Sequence, residues 1–355
     1  MKKLFLVLTS LLCICSYAQT EVNSFSPGAN EGVTYCLPDT RIDITVEATS
    51  ITYTPGEFNR YADRYLRMNN TISEAAVQWT LDNIEVREVG VASTEKMYTI
   101  RLNNNSSASN IVLDNNGIIA AINRQPEPVA TSTATTRAAT KKPDATLYMT
   151  EEMLQANSTA KLAELTAKEI YSIRESKLAI TRATAENMPR DGQAIELLLK
   201  ELDKQEKALT ELFTGYSDTV THIFKFTIMP DAEHNDISKE VLFRFSRKMG
   251  VLDSNNLAGE PVYYDFKDLK SVQMPTKEEQ ERMQNLKHEG ICYNVPGKAS
   301  IGIYTRSRRF VETELCIAQF GTTEILDKKL FSKSRNTRVL FNTATGGIIS
   351  IEREN

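Results

Sequence analysis

The sequence predicts an α+β protein in which two β-rich, sandwich-like units flank a long antiparallel helical hairpin. Two periodicities and one gap carry that prediction. Apolar and polar residues alternate at both ends of the chain, the signature of half-buried strands. Residues 150–215 instead repeat their apolar positions at three- and four-residue steps, the period of an amphipathic helix. Residues 125–147 hold three prolines among many threonines and alanines, too little apolar surface to fix a shape. The expected organisation is a signal peptide at 1–18, a β-rich domain with one inserted helix at 19–124 and a linker at 125–147. A helical hairpin at 148–215 and a second β-rich domain at 216–355 complete it.

The start of the chain reads as an export signal. Met1-Lys2-Lys3 is positive, Leu4 to Ile14 is apolar, and Ser16-Tyr17-Ala18 puts small residues before a cut between Ala18 and Gln19. Cys13 and Cys15 follow Leu12 and Ile14, where a lipoprotein signal needs a small residue, so lipidation is not expected. The apolar run is too short for a permanent anchor, and no later run reaches about 18 residues. No transmembrane segment is therefore expected in the mature chain. The periplasm is the expected location, with the outer-membrane surface or secretion as alternatives.

In the first β-rich part, Ile42, Ile44, Val46 and Ala48 alternate with Asp43, Thr45 and Glu47. Further strands are expected at Gln78–Val86, Met97–Leu102 and Ile111–Leu113, separated by turns such as Asp114-Asn115-Asn116-Gly117. Thr54-Pro55-Gly56-Glu57 reads as a helix start, with Thr54 as N-cap and Glu57 closing a capping box. Phe58, Tyr61, Ala62, Tyr65 and Leu66 then form one stripe, read as core packing rather than a ligand platform.

The helical block begins with Thr150 as cap and Glu151 and Glu152 in the first turn. Met153, Ala156, Ala160, Ala163, Ala167 and Ile170 carry one helix to about Thr181. Residues 187–192 break it. Ile195, Leu198, Leu199, Leu202, Leu209 and Leu212 mark a second helix that ends at Gly215. Beyond it, alternation returns at His222–Phe226 and Val241–Phe245. Strands are also expected at Pro261–Phe266, Lys298–Tyr304, Val311–Phe320, Arg338–Phe341 and Ile348–Ile351, with a short surface helix from Pro275.

The two ends echo each other. Glu31-Gly32-Val33-Thr34-Tyr35-Cys36-Leu37-Pro38 aligns with Glu289-Gly290-Ile291-Cys292-Tyr293-Asn294-Val295-Pro296, and both regions finish on Gly-Ile-Ile, at 117–119 and 347–349. The alignment predicts two related β-units with one strand order. Thr34 and Cys36 share a strand face, matched by Cys292 and Asn294. Burial of that face would make each cysteine a small core residue.

Composition narrows the function classes. The net charge is −4, and cleavage removes two lysines and no acid, leaving −6. An acidic chain without a basic run gives nucleic acid little to hold. Cys36, Cys292 and Cys316 outlast cleavage and read either as core residues or as a Cys292–Cys316 bridge with one free thiol. His222, His234 and His288 have no nucleophile elbow beside them, and neither phosphate loops nor zinc spacings occur. The loop Asp231–Asp236 lacks the glycine and distal Glu of a calcium loop and reads as a solvated turn. Trp79 stands alone in a strand, and the aromatics are spread rather than grouped as a sugar-stacking strip. No catalytic, cofactor-binding or metal-binding residue is assigned, and no cofactor.

Gly32-Val33-Thr34-Tyr35, Tyr53-Thr54-Pro55-Gly56-Glu57-Phe58, Pro189-Arg190-Asp191-Gly192, Leu212-Phe213-Thr214-Gly215 and Ile317-Ala318-Gln319-Phe320-Gly321 span most of the chain. On these strings it resembles an uncharacterised exported protein family of Bacteroidales, a domain family of unknown function. The resemblance implies a Gram-negative envelope protein and transfers no catalytic residue. Asp218-Thr219-Val220 is similar to the short acidic-Thr-aliphatic string used for O-glycosylation in such envelopes. The expected function is a non-catalytic envelope role, binding or scaffolding through the β-rich units, with an envelope protein or glycan as partner. The alternative is a periplasmic or surface hydrolase that cleaves glycan or peptide with a carboxylate pair.

Overall fold

The computed structural model describes residues 33–100, 108, 110–126, 144–184, 191–231, 235–273, 275–279, 290–331 and 336–354. The expected signal peptide at 1–18, most of the expected linker at 125–147, residues 187–190 of the expected break at 187–192, His234 and His288 lie outside the described residues.

The chain opens on a 22-residue strand, β1 (Val33–Thr54). A short helix, α1 (Ala62–Leu66), leads into β2 (Ala76–Ile100), which returns along β1. The strands expected at Gln78–Val86 and Met97–Leu102 are thus one strand through Ile100, with a bulge in it. A small hairpin, β3 (Ile111–Leu113) and β4 (Ile119–Ile122), follows. Its turn is held by Asp114, whose carboxylate accepts from the N–H groups of Asn116 and Ile118 at 2.8 Å each. Gly117 there sits at φ 80°, a region that favours glycine.

The helix expected from Thr54 starts later, for a tertiary reason. Thr54 is still in β1, paired with Tyr216. A Cβ on Gly56 would stand 2.4 Å from the Leu212 carbonyl, and the Phe58 N–H donates to that carbonyl at 2.7 Å. Residues 55–58 are committed to bracing another helix end, so the local capping signal loses.

The helical block begins with α2 (Glu151–Leu154), capped by Thr150 as expected. It does not run on to Thr181. The chain breaks, and Ser158 caps a separate α3 (Thr159–Thr181). Asp191 caps α4 (Gly192–Thr214), and Gly215 ends it at φ 74°. α3 and α4 form the hairpin. Phe58, Ala62, Leu66, Ala163, Ala167, Ile170, Leu209 and Phe213 make its core, with the Phe58 and Phe213 rings edge to face at 5.3 Å. The aromatic stripe is packing, as expected. The outward half of α4 is more exposed: Leu202 is only partly buried and Leu197 is 68 % exposed.

The remaining strands are β5 (Tyr216–Ile228), β6 (Asp236–Ser246), β7 (Gly250–Leu252) and β8 (Glu260–Asp268), then β9 (Gly290–Tyr304), β10 (Arg309–Asp327), β11 (Asn336–Phe341) and β12 (Ile348–Glu354). Three sheets result, ordered β2-β1-β5, β10-β9-β8-β6-β7 and β12-β11-β4-β3. The two β-rich ends of the chain share their cores. Ile42, Ile44, Val46 and Ile84 cluster with Phe243, Val262, Phe266, Ile301, Ile303, Leu315 and Ile317. Tyr35, Leu37, Ile119 and Ile122 cluster with Cys292, Leu326, Val339 and Phe341. Long strands β1, β9 and β10 each feed both clusters.

The internal echo has a structural counterpart, displaced by one residue. β1 and β9 are each the middle strand between a hairpin partner and a strand from the chain's middle, β5 or β8, and all four pairings are antiparallel. Both hairpins bulge alike. Cys36 faces Met97 and Pro38 faces Ala92; Val295 faces Thr322 and Gly297 faces Ile317. Matching Cys36 to Val295 brings the buried positions into step: Tyr35 with Asn294, Thr40 with Ala299, Ile42 with Ile301, Ile44 with Ile303. The sequence alignment pairs Tyr35 with Tyr293 instead, and a one-residue slip exchanges strand faces. The shared-face expectation for the cysteines is therefore corrected: Thr34 is exposed and Cys36 half-buried, whereas Cys292 and Asn294 are both 1 % exposed. The Gly-Ile-Ile endings also diverge, since β4 is interior to its sheet and β12 is an edge.

Side-chain hydrogen bonds sew the two bulges together. The Asn294 amide donates to the carbonyls of Pro38 at 3.0 Å and Thr345 at 2.9 Å and accepts from Thr323. The Gln319 amide accepts from the Thr40 N–H at 2.9 Å and donates to the Thr40 carbonyl at 3.0 Å. The fit leaves no spare volume: a Cβ on Gly321 would meet the Val295 carbonyl at 1.8 Å.

Candidate functional site

None of the three described cysteines, Cys36, Cys292 and Cys316, is in a disulfide. Cys292 pairs with Ile325 and Cys316 with Lys298, so the two lie six residues apart along the hairpin, roughly 20 Å. The bridge alternative is overturned. The Cys316 N–H donates to the half-buried Glu88 carboxylate at 2.5 Å. Burial pushes the Glu88 carboxyl up from its ordinary range, and that hydrogen bond only partly opposes the shift. A raised folded-state pKa gives stability that is present while the group is protonated and lost as pH rises through that value. Glu88→Gln is therefore expected to raise the melting temperature at pH 7, by no more than about 1 kcal/mol equivalent, and to change little below pH 4. A loss at pH 7 would show that the charge itself is needed.

His222 lies in β5, with Nε2 at 2.9 Å from the buried Ser50 hydroxyl. The Trp79 ring packs on the imidazole at 4.7 Å, and Gly250 lies against the indole so closely that a Cβ there would stand 2.7 Å from the ring. Among the described residues no carboxylate hydrogen-bonds the ring. Ser50 also donates to the Val220 carbonyl. The pair closes one end of the main core and has no oriented base behind a nucleophile. Thr219, in the Asp218-Thr219-Val220 string, is exposed on the same strand.

Chemistry-bearing groups gather instead on the outer face of the five-stranded sheet, opposite the buried residues Val262, Phe266, Ile301 and Ile303. Tyr263 is cross-strand from Tyr304, and Tyr304 from Arg309. The tyrosine rings lie 5.9 Å apart. Lys239 Nζ stands 5.8 Å from the Tyr263 ring centre and the Arg309 guanidinium 5.5 Å from that of Tyr304. The next row has Asp265 and Glu312 on either side of Gly302. Directly opposite residues share a face, so the backbones of Asp265 and Glu312 lie two strand spacings apart, about 10 Å, and a Cβ on the glycine between them would meet nothing nearer than the Val311 carbonyl at 4.0 Å.

Local structure fixes this row. Lys239 sits at φ 57° in the β6 bulge, which aims its N–H at the Asp265 carboxylate, 2.7 Å away. Asp265 also accepts from the Tyr304 hydroxyl at 3.0 Å. Burial and then that hydrogen bond push the Tyr304 phenol up, so it remains a neutral donor. The arrangement offers two aromatic surfaces, two acceptor carboxylates and two cations on one exposed face. Register joins two tyrosines that are distant in sequence. Their only sequence signal is that both occupy polar-face positions of strands whose other face is apolar.

Among the described residues no group of three His, Cys, Asp or Glu could hold a metal, and no helix is long and apolar enough to cross a membrane. A family model described as a domain of unknown function (DUF4831) matches residues 31–349. No curated protein and no solved structure matches the chain.

Proposed function

The chain belongs to the DUF4831 family, which brings no activity with it, and from its own geometry we propose a non-catalytic, exported envelope protein that binds glycan. The β-rich parts serve as a sandwich-like scaffold, and the outer face of the five-stranded sheet is the binding surface. The Tyr263–Tyr304 pair is the observation that carries this reading. Sugar rings present apolar C–H faces ringed by hydroxyls, and adjacent aromatic rings, acceptors and donors answer both features. The export half of the reading rests on the charge, apolar run and small residues at 1–18.

The test is a glycan array probed with the purified chain and with Tyr263→Ala/Tyr304→Ala. Two truncated aromatics are expected to weaken the positive spots by on the order of tenfold or more, with the melting temperature little changed. Capture of an envelope protein on this face, with a blank array, overturns the glycan assignment.

Asp265 and Glu312 favour a second reading, a hydrolase acting on glycan or peptide. Side chains that face the same way from positions two strand spacings apart can bring their carboxyl groups to the roughly 6.5–9.5 Å of an inverting glycosidase. Release of reducing ends from a bound glycan, abolished by Glu312→Gln, would establish it in place of simple binding.

A further inference from the structure

Three connections project from one end of the five-stranded sheet. The pairings Ser246 with Gly250, Phe245 with Glu260, and Tyr304 with Arg309 set residues 247–249, 253–259 and 305–308 at that same end. Arg247, Lys248, Arg306 and Arg308 are exposed there. Only Asp253 and Glu260 oppose them within these connections and their flanking strand ends, while Glu312 pairs with Arg309. This end is therefore basic on a chain whose net charge is −4. Two large apolar side chains stand exposed beside the cations: Leu257 is 82 % exposed and Met249 55 %. The Arg308 guanidinium lies 4.5 Å from the Phe310 ring centre, which adds apolar surface below the charge.

We propose that this end of the sheet docks on an anionic membrane surface. Charge complementarity selects the occupant: clustered arginines and lysine take anionic headgroups, while Leu257 and Met249 reach the boundary with the acyl chains. A soluble polyanion would use the cations and gain nothing from the two apolar tips. Docking here leaves the Tyr263–Tyr304 row free, so it goes beyond the glycan reading and stands or falls separately from it.

The experiment is sedimentation of the chain from Gln19 onward, which retains every described residue, with vesicles of phosphatidylcholine alone or mixed with phosphatidylglycerol. Binding is expected only to the anionic vesicles and is expected to weaken as salt rises. Arg306→Gln with Arg308→Gln should weaken it roughly thirty-fold, from about a factor of five per cation. Leu257→Ser should weaken it as well. Both variants change exposed side chains, and unchanged melting temperatures confirm that they fold. Equal binding to both vesicle types, or none to either, overturns the proposal. So does full competition by free glycerol phosphate together with no effect of Leu257→Ser, which would mark a soluble-anion site.

Discussion

Asn294→Ala is expected to destabilise the protein by on the order of 4 kcal/mol, read as a fall in the urea unfolding midpoint with an unchanged slope. Asn294 is 1 % exposed and its amide is the donor for two carbonyls, those of Pro38 and Thr345. Truncation strands both acceptors at a place water does not reach, at about 1–3 kcal/mol each, and leaves a small cavity besides. Thr323→Ala removes only the hydroxyl that donates to Asn294, and should cost about 1 kcal/mol. A loss below that for Asn294→Ala would show that the bulges hold each other by backbone fit alone.

Phe213→Ala should be comparably severe, about 3–5 kcal/mol. The ring is fully buried and meets Phe58 edge to face, so it fastens the segment after β1 to the helical hairpin. Differential scanning calorimetry checks it against Leu202→Ala, on the same helix but only partly buried, which should cost less than half as much. Equal shifts for the two would mean that the third core is not centred on Phe213.

The helical hairpin was legible because its signals are local: a 3.6-residue period and Gly215 as stop, although its first helix is capped by Ser158 and not by Thr150, which caps the separate α2. Most strands were legible from alternation on one face. Pairing was not, since alternation says which face is buried but not which strand lies alongside. Thr54 shows the limit on the helical side, where a sound capping pattern yields to pairing with Tyr216. The echo shows it on the β side. Similar strings reported a similar strand place, yet the bulge sets the faces one residue away from the alignment. The Tyr263–Tyr304 row was invisible for the same reason, because its members become neighbours only through register.

The sharing of both β cores between the two ends of the chain has a consequence for the order of events during synthesis. Ile42, Ile44 and Val46 leave the ribosome early, but the side chains that cover them, Ile301, Ile303 and Ile317, come near the end. Loop closure over such a span adds only modestly to the equilibrium cost, since that cost grows with the logarithm of length. The rate suffers more, because folding slows as contacts become non-local. Until β9 and β10 are made, β1 and β2 form a long ribbon with one bare apolar face. The growing chain thus remains open to chaperones for most of its synthesis, and its β cores close only when the final strands arrive.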